Sequence, residues 1–166
     1  MPVLEVRRVA VVIATVSAVS RVLVTGMSGA GKTTLLDELR RRGLHAVDTD
    51  YDGWTLPDGT WDESRMRDLL LDHHDLVVSG TVENQGTFYD RFSHVVLLSA
   101  PLDVLVRRVA ERPNNPYGKT PTQREDIARH VRTVEPLLRR GATVELDGRR
   151  PVSDLADVVE RLVSTP

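Results

Sequence analysis

The chain has 166 residues, a formal charge of −2 at pH 7 and 28% charged residues, a length that suits one domain with a sizeable core. The near-neutral balance excludes a strongly basic surface of the kind that holds nucleic acid. Cysteine is absent, which excludes disulfides and thiolate metal centres and is compatible with a cytoplasmic location.

Arg7-Arg8 precede an apolar run over residues 9–19, with the outline of a signal peptide's charged and apolar regions. The run is too short to span a bilayer comfortably, so no membrane partner is expected. Residues 1–20 are read as an N-terminal extension of uncertain structure, with an added edge strand or helix as the alternative. Residues 21–166 are read as a single domain.

Arg21-Val22-Leu23-Val24-Thr25 is a short β-branched run that suits a buried strand. Gly26-Met27-Ser28-Gly29-Ala30-Gly31-Lys32-Thr33 follows and reads G-x-x-x-x-G-K-T. After it, Thr34, Leu35, Leu36 and Leu39 open a helical pattern that closes on Arg40-Arg41-Arg42 and Gly43. Strand, glycine loop and helix are the context in which this motif cradles phosphate. Glycines let successive N–H groups of Ser28, Gly29, Ala30, Gly31, Lys32, Thr33 and Thr34 turn toward one anion at a helix N-terminus. Lys32 is a mobile cation for the β- and γ-phosphates, and the Thr33 hydroxyl is a hard oxygen suited to Mg²⁺. ATP and Mg²⁺ are therefore the expected cofactors.

Residues 44–47 predict a second strand that ends in Asp48-Thr49-Asp50. Carboxylates at i and i+2 share one side of a strand, and strand C-termini face the ligand crevice of a parallel sheet. One acid can hold a Mg²⁺-bound water and the other can accept a proton from an attacking hydroxyl. Asp62 predicts the cap of a helix to about His73. Arg65, in its first turn, is either an acceptor contact or a solvated surface arginine. Residues 76–80 predict a third strand. The polar loop 81–86 brings Glu83 and Asn84, which either bind acceptor hydroxyls or solvate the loop, and residues 87–92 predict a short helix. His73-His74 lack ligand partners at metal-binding spacing.

Residues 94–99 predict a fourth strand. Pro101 opens a helix with Leu102, Leu105, Val106 and Val109 on one face, and Pro113 ends it. The Pro- and Gly-punctuated stretch 112–121 predicts a lid, with Arg108, Arg112 and Lys119 as candidate phosphate or base contacts. Thr122 to Glu125 predicts a capping box for the next helix, which Pro136 should kink. Residues 143–146 predict a fifth strand, and the Asp147-Gly148-Arg149-Arg150-Pro151 turn leads into a final helix. Alternating strands and helices predict right-handed crossovers around a parallel sheet. The seven aromatics, two Trp, three Tyr and two Phe, all lie in residues 51–117. They form either a pocket or a second packing cluster.

On these motifs the chain resembles the small P-loop kinases of the shikimate kinase and adenylate kinase-like group over residues 21–163. The resemblance implies a three-layer α/β P-loop NTPase fold with a five-stranded parallel sheet in the order 2-3-1-4-5. It implies that Arg108 packs on adenine, that Arg112 reaches the transferred phosphate, and that Asp50 contacts the acceptor hydroxyl while Asp48 supports Mg²⁺. The turn after the last strand adds Arg149 as a nucleotide contact. Two departures point away from shikimate as acceptor. Ser79-Gly80-Thr81 stands where the family has a triple glycine, and Val134-Glu135-Pro136-Leu137-Leu138 lacks the family's arginine. The expected activity is ATP-dependent transfer to a small-molecule hydroxyl, by a monomer or weak homodimer. Nucleoside monophosphate kinase activity and a non-catalytic nucleotide-binding module are the rivals.

Overall fold

The computed structural model describes residues 19–113 and 115–165. The expectations for residues 1–18 lie outside the described residues. Five strands, β1 (Ser20–Thr25), β2 (Ala46–Asp48), β3 (Asp75–Ser79), β4 (His94–Ser99) and β5 (Val144–Asp147), pair in parallel in the order β2-β3-β1-β4-β5. This is the order that the resemblance implied. The helices are α1 (Lys32–Arg41), α2 (Glu63–Asp72), α3 (Leu102–Glu111), α4 (Pro121–Thr133), α5 (Glu135–Gly141) and α6 (Val152–Ser164). No helix among the described residues is long and apolar enough to cross a membrane.

Alternation along β1 builds the layers. Val22 and Val24 join one buried cluster with Leu35, Leu36 and Leu39 of α1 and Leu155 and Val159 of α6. Leu23 points the other way, into a cluster with Met66 and Leu70 of α2, Trp54, Trp61, Phe88 and Phe92. Four of the aromatics therefore form a second packing cluster. Arg42 closes α1 against α6 by donating to Glu38, Asp157, Glu160 and the Ser153 carbonyl.

Three local details differ from the sequence pattern. Residues 83–91 form one 3-10 helix (Glu83–Arg91), which absorbs most of the predicted polar loop and short helix. The capping box of α4 is Thr120 with Gln123, two residues early. Pro121 decides the register, because its fixed φ and missing N–H suit the first helical position. Pro136 does more than kink: the helix breaks at Val134 and restarts as α5, with the proline in its first turn.

Candidate active site

The P-loop runs from β1 into α1. Gly26, Gly29 and Gly31 all have positive φ, at 155, 84 and 103°. At Gly29 a Cβ would also sit 2.7 Å from the Leu105 carbonyl oxygen, so the turn admits no side chain there. Gly31 caps α1 in the left-handed region, and no side chain caps the helix. Its first amides and the positive end of its dipole thus face the cavity, an arrangement suited to a polyphosphate. Thr81 braces the back of the loop, its hydroxyl accepting from the Gly26 amide and donating to the Gly26 carbonyl at 2.7 Å. Buried Gln85 extends this brace through Thr25 and Tyr89.

The cavity over the loop encloses about 670 Å³, within the usual range for cofactor sites. Residues 28–34 of the loop and helix line it, with Asp50, Tyr51, Arg108, Arg112, Tyr117 and Arg150. Lys32 Nζ donates to the carbonyls of Gly26 and Met27, at 2.6 and 3.2 Å. Burial pushes its ammonium below the ordinary value; Asp50 and Asp48 oppose that shift and Arg112 adds to it.

Asp48 ends β2 and is buried. Its Oδ2 accepts from the Thr33 hydroxyl at 2.8 Å, and its Oδ1 accepts from the Asp50 amide at 3.1 Å. Asp48 thus joins the hydroxyl of the P-loop threonine to the backbone of the second aspartate. Asp50 opens onto the cavity. Burial raises its carboxyl above the ordinary 3.8, Lys32 opposes, and Asp48 adds like-charge repulsion. Thr49 between them is locked, its hydroxyl donating to the Ser79 carbonyl at 2.7 Å and accepting from Trp61 Nε1 at 2.9 Å.

Arg108 staples the cavity wall. Its guanidinium donates to the carbonyls of Gly29, Ala30 and Gly148, at 3.3, 3.4 and 2.8 Å. Gly148 approaches the P-loop so closely that a Cβ would lie 2.6 Å from the Ala30 carbonyl oxygen. Arg112 reaches the cavity from the end of α3. It donates through Nη2 to the Tyr117 carbonyl, while its buried Nε has no partner. An unpartnered guanidinium N–H at the cavity wall is costly unless an anion meets it.

Five further expected site residues lie outside the cavity lining. Arg65 donates to the carbonyls of Asp52 and Gly53 and stacks 3.9 Å from the Trp54 ring centroid, which holds the 52–54 turn. Asn84 is spent on Trp61, accepting from its amide and donating to its carbonyl. Glu83 is exposed at the start of the 3-10 helix, outside the cavity lining. Arg149 turns away and grips Asp147, while the next residue, Arg150, lines the cavity instead. Lys119 also turns from the cavity and donates to the Val109, Ala110 and Arg112 carbonyls at the end of α3. Tyr51, Tyr117, Gly148 and Arg150 also line the cavity; the sequence reading placed them in the aromatic set and in the turn after the last strand without giving them a site role. The Gly148 signal was present, since a glycine directly after a strand end marks close backbone approach.

Residues 22–132 match the family described as an AAA domain. The chain belongs to that family. A nucleotide-binding protein of Rhodospirillum rubrum is 30% identical over 151 residues, covering 84% of this chain and 46% of that protein. The chain thus spans about half the length of this curated relative. Among solved structures, the shikimate kinase of Acinetobacter baumannii in complex with shikimate is similar, with a TM-score of 0.66 and 21% identity over 89% of this chain and 94% of that one. The shikimate kinase of Bacteroides thetaiotaomicron gives a TM-score of 0.63 and 19% identity over 87% of this chain and 98% of that one. A gluconokinase from Sinorhizobium meliloti gives 0.56 and 15%, over 87% and 91%. The fold of this AAA-domain chain is therefore that of the small P-loop kinases, as the sequence resemblance implied.

Proposed function

We propose that the protein is an ATP-dependent phosphotransferase that moves the γ-phosphoryl group to a hydroxyl of a small metabolite other than shikimate. One observation carries this reading. A single cavity is lined by the P-loop residues, Lys32, Asp50 and Arg112, and Asp48 ties the Thr33 hydroxyl to the Asp50 amide. A module that only held nucleotide would have no use for a second, cavity-facing carboxyl held by Asp48 beside the P-loop threonine.

The uncapped N-terminus of α1 and the unpartnered Arg112 Nε fit a polyphosphate. Thr33 and Asp48 are the oxygens that would hold Mg²⁺. When bound, ATP and Mg²⁺ supply the transferable group and neutralise much of its charge. The α1 amides orient the phosphate chain, and Lys32 exchanges its carbonyl partners for phosphate oxygens. Asp50 takes the proton from the acceptor hydroxyl at a carboxylate oxygen, and its raised basicity suits that role. Arg112 offsets charge on the equatorial oxygens. Residues 112–121 act as a lid over this chemistry, and excluding water there favours transfer over hydrolysis.

The test is ATP consumption and product mass with a panel of polyols, sugars, nucleosides and cyclic alcohols. Acceptor-dependent ADP release with a phosphorylated product is expected. ATP binding without transfer to any acceptor would leave the nucleotide-binding module as the better reading. Transfer confined to nucleoside monophosphates would favour the monophosphate kinase.

A further inference from the structure

A second cavity lies back to back with the first, at the C-terminal ends of β4 and β5. It is an open groove of about 410 Å³, and Ser99, Glu135, Arg139, Glu145, Asp147 and Arg149 are among its lining residues. The two cavities share one wall, the turn 147–150. Gly148 and Arg150 face the nucleotide cavity, and Asp147 and Arg149 face this one.

The polar groups of the second cavity are paired, with one exception. Arg149 grips Asp147 through Nε and Nη2, at 3.0 and 2.7 Å. Arg139 donates to both oxygens of Glu145, at 3.0 and 2.9 Å, and to Glu135 Oε1 at 3.0 Å. The Ser99 hydroxyl adds a bond to Glu145 Oε1 at 2.8 Å. Glu135 is only 6% exposed, and its Oε2 has no partner. A buried carboxylate oxygen without a donor is expensive, because burial removes its water and nothing replaces it.

The charges indicate what would complete the site. Three carboxylates face two guanidiniums, which leaves one negative charge over. An anion would meet that surplus and two arginines already engaged. A metal ion needs a cage of ligands, and no group of three His, Cys, Asp or Glu among the described residues could hold one. The complement is a singly charged group with N–H donors, small enough for the cavity.

We propose that this cavity binds a small organic cation, an alkylammonium or alkylguanidinium, which places an N–H on Glu135 Oε2 and balances the surplus charge. Because alternate residues of the turn 147–150 face the two cavities, the cation also sets the position of Gly148 and Arg150. Occupancy here therefore changes nucleotide affinity next door, a consequence that rests on the nucleotide reading of the first cavity.

The experiment titrates the full chain with methylammonium and methylguanidinium chloride, without nucleotide, and follows backbone amide shifts at residues 135–149. Tetramethylammonium at matched ionic strength is the control, since it has the charge but no N–H. Saturable shifts with the first two salts and none with the third are expected, with binding about tenfold weaker in Glu135→Gln. Equal responses to all three salts, or equal affinity in Glu135→Gln, would overturn the site; the salt comparison on the unaltered chain decides it even if the variant folds poorly. With a fluorescent ATP analogue, the bound cation is expected to shift nucleotide affinity by about fivefold or more. An unchanged affinity would overturn the coupling. Failure of the analogue to bind at all would count against the phosphotransferase reading, while the amine titration is read independently.

Discussion

Gly80, at the end of β3, tests whether packing behind the Asp48-Thr49-Asp50 strand end sets the catalytic geometry. Its backbone needs no left-handed conformation, so Gly80→Ala is a purely steric change. The added Cβ would lie 2.1 Å from Thr49 Oγ1 and 3.1 Å from the Trp61 ring. Neither neighbour can yield cheaply. Thr49 Oγ1 is held by bonds of 2.7 and 2.9 Å, and Trp61 is fully buried. Overpacking costs about 1–3 kcal/mol, and straining one of the Thr49 bonds adds about 1 kcal/mol. The sum is about 2–4 kcal/mol, which for a domain of this size lowers the melting temperature by roughly 5–15 °C. The displaced Thr49 carries Asp50 with it. Turnover is expected to fall about 100-fold, the scale of an ångström's misplacement, while ATP affinity, set by the P-loop, holds. Gly86→Ala is the control, with nothing within 4 Å of its added methyl and an expected change within about 0.5 kcal/mol. Calorimetry and steady-state kinetics on the pair read both effects. Equal melting temperatures and equal turnover for Gly80→Ala and the unaltered chain would refute the reasoning.

Lys32→Ala is expected to reduce phosphoryl transfer by at least about 100-fold, and product formation at an unchanged rate would remove Lys32 from the mechanism. Asp50→Asn should suppress transfer by a similar factor, about 100-fold or more, with ATP affinity nearly unchanged by isothermal titration. The same variant has a stability signature. The folded carboxyl lies above its ordinary 3.8, so its contribution to stability is fully present below 3.8 and is lost as pH rises through the folded value. Asp50→Asn should therefore melt higher than the unaltered chain near neutral pH, and this gain should vanish below 3.8 in a pH series of thermal melts. Gly118→Ala should weaken the lid, because φ is +89° and the added Cβ would lie 1.7 Å from Val109 Cγ1. A raised KM for ATP and a cost of about 1–3 kcal/mol are expected, and unaltered values for both would show that the loop accommodates the methyl freely.

The succession of strands and helices and the phosphate loop were legible because they rest on local chemistry, whereas the sheet order came from the family resemblance. Glycines before Lys32, β-branched strands and helix periodicity each need only their neighbours in the chain. The placements of Arg65 and Asn84 were not legible, because their partners are backbone groups of residues 52–53 and 61. A polar side chain near a crevice reads the same from sequence whether it serves a ligand or pins a turn. Arg149 and Arg150 show a finer limit. Adjacent arginines in one turn face opposite cavities, and only the path of the turn and the Gly148 approach decide which faces which. The aromatic cluster was ambiguous for a related reason: burial of Trp61 and Phe88 depends on α2 closing over β3, a tertiary event with no local mark. The shift of the α4 cap from Thr122 to Thr120 was avoidable, since Pro121 already marked the first turn.

The ammonium of Lys119 grips three main-chain oxygens at the foot of α3. The loop that follows α3 is thereby latched to the helix that carries Arg108 and leads into Arg112. On the phosphotransferase reading, movement of this loop would carry Arg112, which donates to the Tyr117 carbonyl, while Arg108 stays on the Gly29, Ala30 and Gly148 carbonyls; one counter-charge is built into the wall and the other would travel with the loop.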